Sequence, residues 1–401
     1  MKLVFFSHSV LLGHQSMPRF TSLLAEGMRR RGHQVVVWAP TARFPWVKSA
    51  SSASKWLGYI DQYVLFPLQV YQRIKHCPVD TLFVFTDHAL GPWVPLVAER
   101  PHAIHCHDFL AQRSALGEIP QHSTGWTGRI YQAFIRWGYK HGANFISVSL
   151  RTRRDLHRFL SRIPTCTEVV YNGFNQQFTQ LIPEQARQQL TIRTGFQLLN
   201  GYLLHVGGNQ WYKNREGVIA IYNAWRAKSQ VSLPLLMVGA APTHELARQH
   251  QDSDFKQDIY FVEGLADEEV RLAYSGATAL LFPSLAEGFG WPIAEAMASG
   301  CPVITTEETP MTEVGGSAAF YIPLQSENED LVHWAEVGAR VVEKVVQLCP
   351  EERQETILQC LTNAHRFNTS EALDRIESIY LEILQCSESK IYAKAKALAV
   401  E

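Results

Sequence analysis

Two glutamates, Glu287 and Glu295, bracket a glycine-rich stretch of the chain. The stretch follows an apolar run that ends at Phe282, and Gly288 and Gly290 let the backbone approach a ligand closely. The proline two residues after Gly290 suits the first turn of a helix, whose N-terminus can hold phosphate. Since one carboxylate can accept hydrogen bonds from a ribose and the other from a sugar, the pattern predicts a nucleotide-sugar site. The alternative is an ordinary strand–loop–helix with two exposed glutamates.

A lysine occupies a second loop of similar construction. The apolar run 202–206 is followed by Gly207 and Gly208, and Lys213 comes five residues later, at the start of a predicted helix. A cation at that point can neutralise a diphosphate leaving group, as it must where no metal takes part. The alternative is a solvated charge at a helix start.

A third polar group follows the strand predicted over 102–105. His105 and His107 flank Cys106, but no further residues stand at the spacing of a metal site, so the sequence argues against zinc. The neighbouring Asp108 either caps the helix that follows or takes part in catalysis, and the sequence leaves both open.

These loops need strands to position them, and the chain supplies two sets. Short apolar runs alternate with helical segments on both sides of residue 200, which is typical of parallel β–α–β units. The strands are predicted at 3–6, 34–39, 81–85, 102–105, 145–148 and 168–171, and then at 202–206, 235–238, 259–262, 279–282, 302–305 and 319–322. Ligands of such sheets bind at the carboxyl ends of the strands. We therefore predict an α/β fold of two Rossmann-like, doubly wound domains facing a cleft.

Length and composition give the domain boundaries. The 401 residues fit two domains, and a polar stretch between Asn172 and Asn200 predicts the junction. The chain looks helical from Glu327 to about Gln385 and is polar beyond it. The predicted divisions are an N-terminal acceptor-side domain over 1–175 with a helix at about 366–385 packed back on it, a nucleotide-sugar-binding domain over 176–365, and a polar tail over 386–401.

Composition also excludes several classes of protein. Hydrophobic residues make up 46% and charged residues 19%, which excludes a disordered chain. No run of about 18 uncharged apolar residues predicts a membrane span. The seven cysteines lack CxxC spacing, which favours a reducing cytosol over a disulfide framework. We expect a cytoplasmic protein that does not bind nucleic acid, because no nucleic-acid-binding module is present.

Charge is divided unevenly along the chain. Residues 1–171 contain 20 basic and 9 acidic side chains, and the remainder contains 17 and 29. Either the two domains differ in surface composition, or the basic part faces something anionic, such as a membrane or a phosphorylated acceptor. The segment 125–140 has aromatic and basic residues at helical spacing and is predicted as an aromatic core helix, with a helix at a membrane interface as the alternative. A run of arginines supports the alternative: Arg151, Arg153, Arg154 and Arg158.

The stretch 284–303 resembles the signature of the retaining GT-B glycosyltransferases of family four (glycosyl transferases group 1), which carry two glutamates separated by seven residues. The resemblance implies sugar transfer in polysaccharide biosynthesis, with retention of configuration and without a metal or other cofactor. The implied donor is a nucleotide sugar, UDP- or GDP-linked. The implied acceptor is a glycan, a lipid-linked glycan or a small molecule. Peripheral membrane contact is predicted separately, from the basic charge of the first half.

The resemblance also assigns roles to residues of this chain. Glu287, His107 and Lys213 are implied as catalytic residues, and Glu295 as the ribose ligand. Backbone groups are implied to hold the donor's sugar, phosphates and base. The implied donor-binding positions besides Glu295 are Gly13, Arg19, Gly208, Asn214, Arg215, Val262, Gly288, Phe289 and Gly290.

One position departs from the family pattern. Family members usually carry an arginine five residues before the lysine, and here that position is Gly208. Arg215, or Arg19 from the first half, is expected to supply the missing charge. The departure keeps two alternatives open: a nucleotide-sugar-binding protein without transferase activity, and another GT-B enzyme such as an epimerase.

Overall fold

The computed structural model describes residues 1–9, 16–41, 58–174, 176, 178–326 and 330–398. The chain divides into two units, one of Met1–Asn175 with Thr369–Glu401 and one of Gln176–Asn368. Each unit holds a six-stranded parallel sheet with helices, so the prediction of two Rossmann-like α/β domains is confirmed. The predicted phosphate-loop residue Gly13 lies outside the described residues.

The N-terminal unit alternates strands and helices. Its strands are β1 (Lys2–Phe6), β2 (Gln34–Trp38), β3 (Leu82–Phe85), β4 (His102–Cys106), β5 (Asn144–Ser147) and β6 (Cys166–Val169). The α-helices described between them are α1 (Ser16–Arg30), α2 (Phe66–Ile74), α3 (Leu110–Ala115), α4 (Trp126–Tyr139) and α5 (Leu150–Phe159). A π-helical turn over Asp61–Leu65 leads into α2, and a 3-10 helix covers His88–Val97.

The C-terminal unit follows the same scheme. Its strands are β7 (Leu203–Gly207), β8 (Leu235–Gly239), β9 (Ile259–Val262), β10 (Ala279–Phe282), β11 (Val303–Thr306) and β12 (Phe320–Ile322). Its described α-helices are α6 (Pro183–Thr194), α7 (Arg215–Arg226), α8 (His244–Asp252), α9 (Asp267–Gly276), α10 (Trp291–Ala298), α11 (Met311–Gly315), α12 (Leu331–Val346) and α13 (Pro350–Ala364).

The strand order shows where a ligand can bind. The sheets run β2-β1-β3-β4-β5-β6 and β12-β11-β10-β7-β8-β9, with parallel pairing throughout. The chain reverses direction across each sheet at one point, between β1 and β3 in the first and between β7 and β10 in the second. At such a point the loops leave in opposite directions and open a crevice at the carboxyl edge. The loops after β1, β3, β7 and β10 are therefore placed to bind ligands.

The helix α14 (Thr369–Leu398) belongs to the N-terminal unit, although it follows the C-terminal unit along the chain. Its Ile376 and Tyr380 are buried in one cluster with Phe5 of β1. The Tyr380 hydroxyl lies 2.7 Å from Nε2 of His105 in β4, so a polar contact also fixes the helix against the sheet. Helix α14 therefore covers one face of the sheet together with α1, whose Phe20 and Leu24 belong to the same cluster.

Helix α14 also extends further than the sequence predicts. It continues through Leu398, so residues 386–398 lengthen the helix instead of forming a separate tail. The reason is local propensity, because this polar segment is rich in alanine and lysine, both good helix formers.

The prediction that the segment 125–140 forms an aromatic core helix is wrong in one respect, because most of the aromatic side chains of α4 do not lie in the core. Its buried residues are Ile135, Gly138 and Tyr139, whereas Trp126 and Trp137 are 74% and 52% exposed. A Cβ atom on Gly138 would lie 2.1 Å from the carbonyl oxygen of Gly91 in the 3-10 helix. The helix thus packs by close backbone approach at Gly138, with Tyr139 buried on that face and Trp126 and Trp137 turned outward.

No helix in the described part of the chain is both long enough and apolar enough to span a bilayer.

Candidate functional site

The loops after β7 and β10 meet at the reversal point of the C-terminal sheet. The backbone N–H of Leu285 donates to the carbonyl oxygen of Tyr212 over 2.8 Å, and Ser284 Oγ lies 2.7 Å from the same oxygen. The carbonyl of Ser284 in turn accepts a hydrogen bond from Thr306 Oγ1 at 2.8 Å. These bonds fix the two loops to each other and to the end of β11.

Lys213 and Glu287 form an ion pair between these loops. Lys213 Nζ lies 2.7 Å from Glu287 Oε1, and the side chains are only 14% and 8% exposed. The Ser284 hydroxyl donates to the same carboxylate oxygen over 2.8 Å. The ammonium also lies 5.0 Å from the centre of the Phe282 ring, within range of a cation–π interaction. The structure therefore brings together two of the three predicted catalytic residues.

His205 of β7 lies beneath the lysine. Its Nδ1–H donates to the carbonyl oxygen of Leu281 over 3.0 Å, which leaves Nε2 without a proton. Burial lowers the pKa of His205 to about 3, so the ring is neutral and adds no charge beside Lys213. A Cβ atom on Gly207 would lie 3.0 Å from Nε2, so a side chain there would displace the ring.

Asn214 serves as the cap of α7. It has φ of 49°, a left-handed conformation that asparagine adopts more readily than most residues. Its side-chain oxygen accepts a hydrogen bond from the Gly217 amide at 3.1 Å, and its amide donates to the carbonyl oxygen of Pro283 over 3.1 Å. The predicted donor-binding residue is thus a cap that also holds the β10 loop in place.

Arg215 is a buried cation with unused donors. It is 5% exposed, and Nη1 donates to the carbonyl oxygen of Ala240 over 2.8 Å and to Oδ1 of Asn209. Among the described residues no group accepts a hydrogen bond from Nε or Nη2. Burial lowers the pKa of Arg215, with Glu263 opposing the shift. Because arginine stays protonated in proteins, a permanent charge with two unpaired donor nitrogens, Nε and Nη2, lies at the edge formed by β7 and β8.

Two further predicted positions lie near Arg215. Gly208 has the Gln210 side chain against it, 2.7 Å from where a Cβ atom would stand, so an arginine there would displace the glutamine. Val262 ends the edge strand β9 opposite Val238. The preceding residue, Phe261, has its ring centre 5.6 Å from the Arg215 guanidinium carbon. Arg215 therefore contacts the residue next to each of the two positions, Asn209 after Gly208 and Phe261 before Val262.

Glu295, the second glutamate of the motif, is held by a tyrosine of α9. Tyr274 of α9 is buried, and its hydroxyl donates to Glu295 Oε2 over 2.9 Å. Gly290 has φ of 102° where the loop enters α10, a conformation that favours glycine. Phe289 is buried, and its ring centre lies 5.5 Å from that of Phe367, so packing fixes its position in the loop. Gly288 is half-buried.

The N-terminal sheet carries a polar cluster at its own reversal point. His8 follows β1 and Asp87 follows β3, and His8 Nε2 lies 2.8 Å from Asp87 Oδ2. His88 Nδ1 lies 3.0 Å from Asp87 Oδ1. Burial alone would raise the pKa of the Asp87 carboxyl. The contacts with His8 and His88 outweigh burial and hold that pKa well below its usual range. Sequence reasoning missed these residues, and the signal was their position directly after buried strands.

His107 lies at the end of β4 in the same unit. It is buried, and its Nε2–H donates to the carbonyl oxygen of Thr86 over 2.9 Å, so Nδ1 is the nitrogen that can accept. Burial lowers its pKa, with Asp87 opposing the shift. Asp108 accepts a hydrogen bond from the Leu110 amide at 3.0 Å, the capping role that the sequence left open. Arg19 is an exposed residue of α1.

Over the residues that the structure describes, no group of three or more histidine, cysteine, aspartate or glutamate side chains is arranged to hold an ion. The charged groups of the C-terminal site are an ammonium, a guanidinium and two carboxylates from separate loops and helices. Such a set suits an anionic ligand that also carries hydroxyl groups.

Two family models match the chain. Residues 17–178 match the model described as Glycosyltransferase Family 4, and residues 200–335 match Glycosyl transferases group 1. Among curated proteins, the O-antigen chain mannosyltransferase B of Escherichia coli is 29% identical over 35% of this chain and 37% of its own length. The O-antigen chain mannosyltransferase RfbU of Salmonella typhimurium is 25% identical over 48% and 51%. The chain thus spans about half or less of these two relatives.

Solved structures match over nearly the whole chain. Anabaena Alr3699/HepE in complex with UDP and glucose superposes with a TM-score of 0.67 at 17% identity, covering 94% of this chain and 98% of that one. WaaG, a glycosyltransferase involved in lipopolysaccharide biosynthesis, superposes with a TM-score of 0.68 at 16% identity, covering 94% and 99%. At such identities the likeness shows a common fold.

Proposed function

This chain belongs to the group 1 glycosyltransferases of the GT-B fold, and on that premise we propose that it transfers a sugar from a nucleotide-diphosphate donor to an acceptor, with retention of configuration and without a metal. The acceptor is a glycan, a lipid-linked glycan or a small molecule. The observation that carries the proposal is the pair Lys213–Glu287 at the reversal point of the C-terminal sheet.

Lys213 is the group that we assign to the leaving diphosphate. Charge builds on the diphosphate as the bond to the sugar breaks, and a cation fixed in advance stabilises it most in a water-poor site. The ammonium has three donors and gives one to Glu287, so it retains others for phosphate oxygens. Arg215 adds a second fixed charge in the same unit, and these two cations are the reason that we propose transfer without a metal.

Glu287 is the group that we assign to the donor sugar. Its Oε1 atom accepts hydrogen bonds from both Lys213 and Ser284, and this arrangement leaves Oε2 to accept from a sugar hydroxyl. Glu295, held by Tyr274, is assigned to the ribose. We assign His107, with its neutral ring, to a hydrogen bond with the donor sugar.

The donor is a UDP- or GDP-sugar in this proposal. HepE is a fold neighbour in complex with UDP and glucose, and the O-antigen relatives are mannosyltransferases, which favours a hexose. We expect one nucleotide sugar to raise the melting temperature in a screen of UDP-, GDP- and ADP-sugars. A ligand at a hundred times its Kd stabilises the native state by about 2.7 kcal/mol.

Turnover then separates an enzyme from a binder. With the stabilising donor and a mixture of candidate acceptors, we expect nucleotide release that is unchanged by EDTA, and an NMR spectrum of the product with the anomeric configuration of the donor. Stabilisation by a donor without any hydrolysis or transfer would support the nucleotide-sugar-binding alternative. Activity abolished by EDTA would contradict the metal-independent mechanism.

Arg215 gives a separate prediction about donor binding. We expect Arg215→Lys to weaken nucleotide binding roughly tenfold, because lysine keeps the charge but cannot present the Nε and Nη2 donors together. Isothermal titration calorimetry with the stabilising nucleotide measures the change. The control is Arg226→Lys on the same helix, since Arg226 is already paired with Asp258 and Tyr222. Equal affinities for the two variants would remove Arg215 from the donor site.

A further inference from the structure

Two neighbouring helical segments of the N-terminal unit expose apolar side chains that its core does not use. These side chains are between 39% and 74% exposed. We define the outer apolar face as Ile60, Val64, Leu68 and Tyr71 of the first segment, which ends in α2, and Trp126, Ile130, Phe134 and Trp137 of α4.

The spacing of these residues places them on two continuous stripes. In each segment they are separated by four, four and three residues. An α-helix makes a turn in about 3.6 residues, which places the four residues of α4 on one face. The first segment crosses the π-helical turn Asp61–Leu65, and there the exposure of the four side chains shows that they face outward. The buried residues Phe66 and Val70 in α2, and Ile135 and Tyr139 in α4, point the other way. Each segment therefore has one apolar face in the core and a second one turned outward.

Contacts between aromatic residues hold the two segments together. The Tyr63 ring lies 5.6 Å from that of Phe134, and the Tyr63 hydroxyl lies 2.7 Å from the Tyr131 hydroxyl. These contacts hold the two stripes side by side and form a single surface. An exposed apolar surface of this extent usually marks a site of interaction.

The charges around this surface are positive. Helix α4 has no acidic residue, and its cations Arg129, Arg136 and Lys140 follow one flank of the stripe. At the end of α2, Lys75 Nζ lies 4.4 Å from the centre of the Tyr71 ring. The one acidic side chain in the segment 58–75 is Asp61, which is 2% exposed.

The arginines of α5 differ from these cations. Arg151 lies 3.4 Å from Asp155, and Arg158 lies 2.7 Å from Glu118, so nearby carboxylates offset part of their charge. The outer apolar face, in contrast, has its cations directly beside exposed apolar side chains. Tryptophan, tyrosine and flanking cations are the residues that prefer the headgroup region of a bilayer.

From this arrangement we infer that the outer apolar face is a docking surface for a bilayer with anionic headgroups. The helices lie in the plane of the headgroups, with the two stripes inserted and the cations among the lipid phosphates. The inference goes beyond the proposed function and does not depend on it, because vesicle binding needs no donor and no turnover.

Flotation of the full chain with lipid vesicles tests this inference. Vesicles of phosphatidylcholine are compared with vesicles that also contain phosphatidylglycerol. We expect binding to the second kind, weakened by salt at about 0.5 M, where screening is strong. The double variant Trp126→Ser with Trp137→Ser is expected to lose binding roughly tenfold or more, since each indole would leave the interface. The variant Arg129→Glu with Lys140→Glu is expected to lose the preference for anionic lipid.

Matched controls separate the surface from exposed residues in general. Leu116 and Ile163 are 48% and 94% exposed in the same unit, so Leu116→Ser with Ile163→Ser is expected to bind vesicles like the original chain. Arg154→Glu in α5 is the charge control. Circular dichroism of each variant establishes that it is folded.

Two results would overturn the inference. The first is no binding to anionic vesicles at low salt, or equal binding by the Trp126/Trp137 variant and the original chain. The second is a change of oligomeric state in that variant, seen by light scattering, without a change in vesicle binding, which would assign the surface to a second copy of the chain. A variant that binds vesicles normally but no longer transfers sugar would affect the proposed function and leave the docking surface unchanged.

Discussion

Lys213→Ala is expected to lower the rate of sugar transfer on the order of 100- to 1000-fold, equivalent to about 3–4 kcal/mol of transition-state stabilisation. The reason is the position of Nζ, held 2.7 Å from Glu287 and largely shielded from water. A cation in that setting needs no reorganisation when charge develops on a leaving diphosphate. The loss is expected mainly in kcat, measured at saturating donor.

A surface lysine provides the control for this variant. Lys228 also lies 2.7 Å from a glutamate, Glu336, but it is 67% exposed and follows the C-terminal end of α7. Lys228→Ala is expected to leave transfer unchanged within about twofold, since exposed ion pairs contribute little. Transfer within tenfold of normal in folded Lys213→Ala would end the assignment of the lysine to the leaving group.

Glu287→Gln is expected to produce the second large loss, again on the order of 100-fold or more in kcat. Glutamine keeps the size and one acceptor oxygen, but it removes the negative charge from beside Lys213 and from the predicted position of the donor sugar. The measurement is nucleotide release under single-turnover conditions, so that product release does not hide the chemical step. Glu336→Gln, which breaks the exposed pair with Lys228, is the control.

The double variant tests whether the pair works as a unit. Residues that act together give losses that are far from additive. Lys213→Ala with Glu287→Gln is therefore expected to be no more than about tenfold slower than the slower single variant. Losses that multiply fully would instead mean that the two side chains act on independent steps.

Much of this site could be predicted from the sequence because its parts are local. Lys213 and Glu287 each follow an apolar strand by a few residues, and parallel strands bring their carboxyl ends to one edge. Their separation of 74 positions in the sequence therefore does not obscure their proximity. The glycines at the loop and the proline of α10 fix local geometry in the same way.

The features that the sequence did not predict depend on which elements become neighbours. His8 and Asp87 are 79 positions apart and meet only because β1 and β3 are adjacent in the sheet. The outward stripe of α4 likewise depends on a distant residue, because the approach of Gly138 to Gly91 decides which face is buried. The two free donors of Arg215 depend on the surrounding partners, and a sequence does not show them.

The position of α14 has a consequence for synthesis of the chain. Residues 176–368 can complete their fold as soon as they leave the ribosome, since all their strands and helices are consecutive. The N-terminal sheet emerges first, yet the cluster that buries Leu3, Phe5 and Leu82 is complete only when residues from 369 onward arrive. The half that is translated earliest is therefore finished last, and during elongation its uncovered side is the part of the nascent polypeptide that most needs chaperone protection.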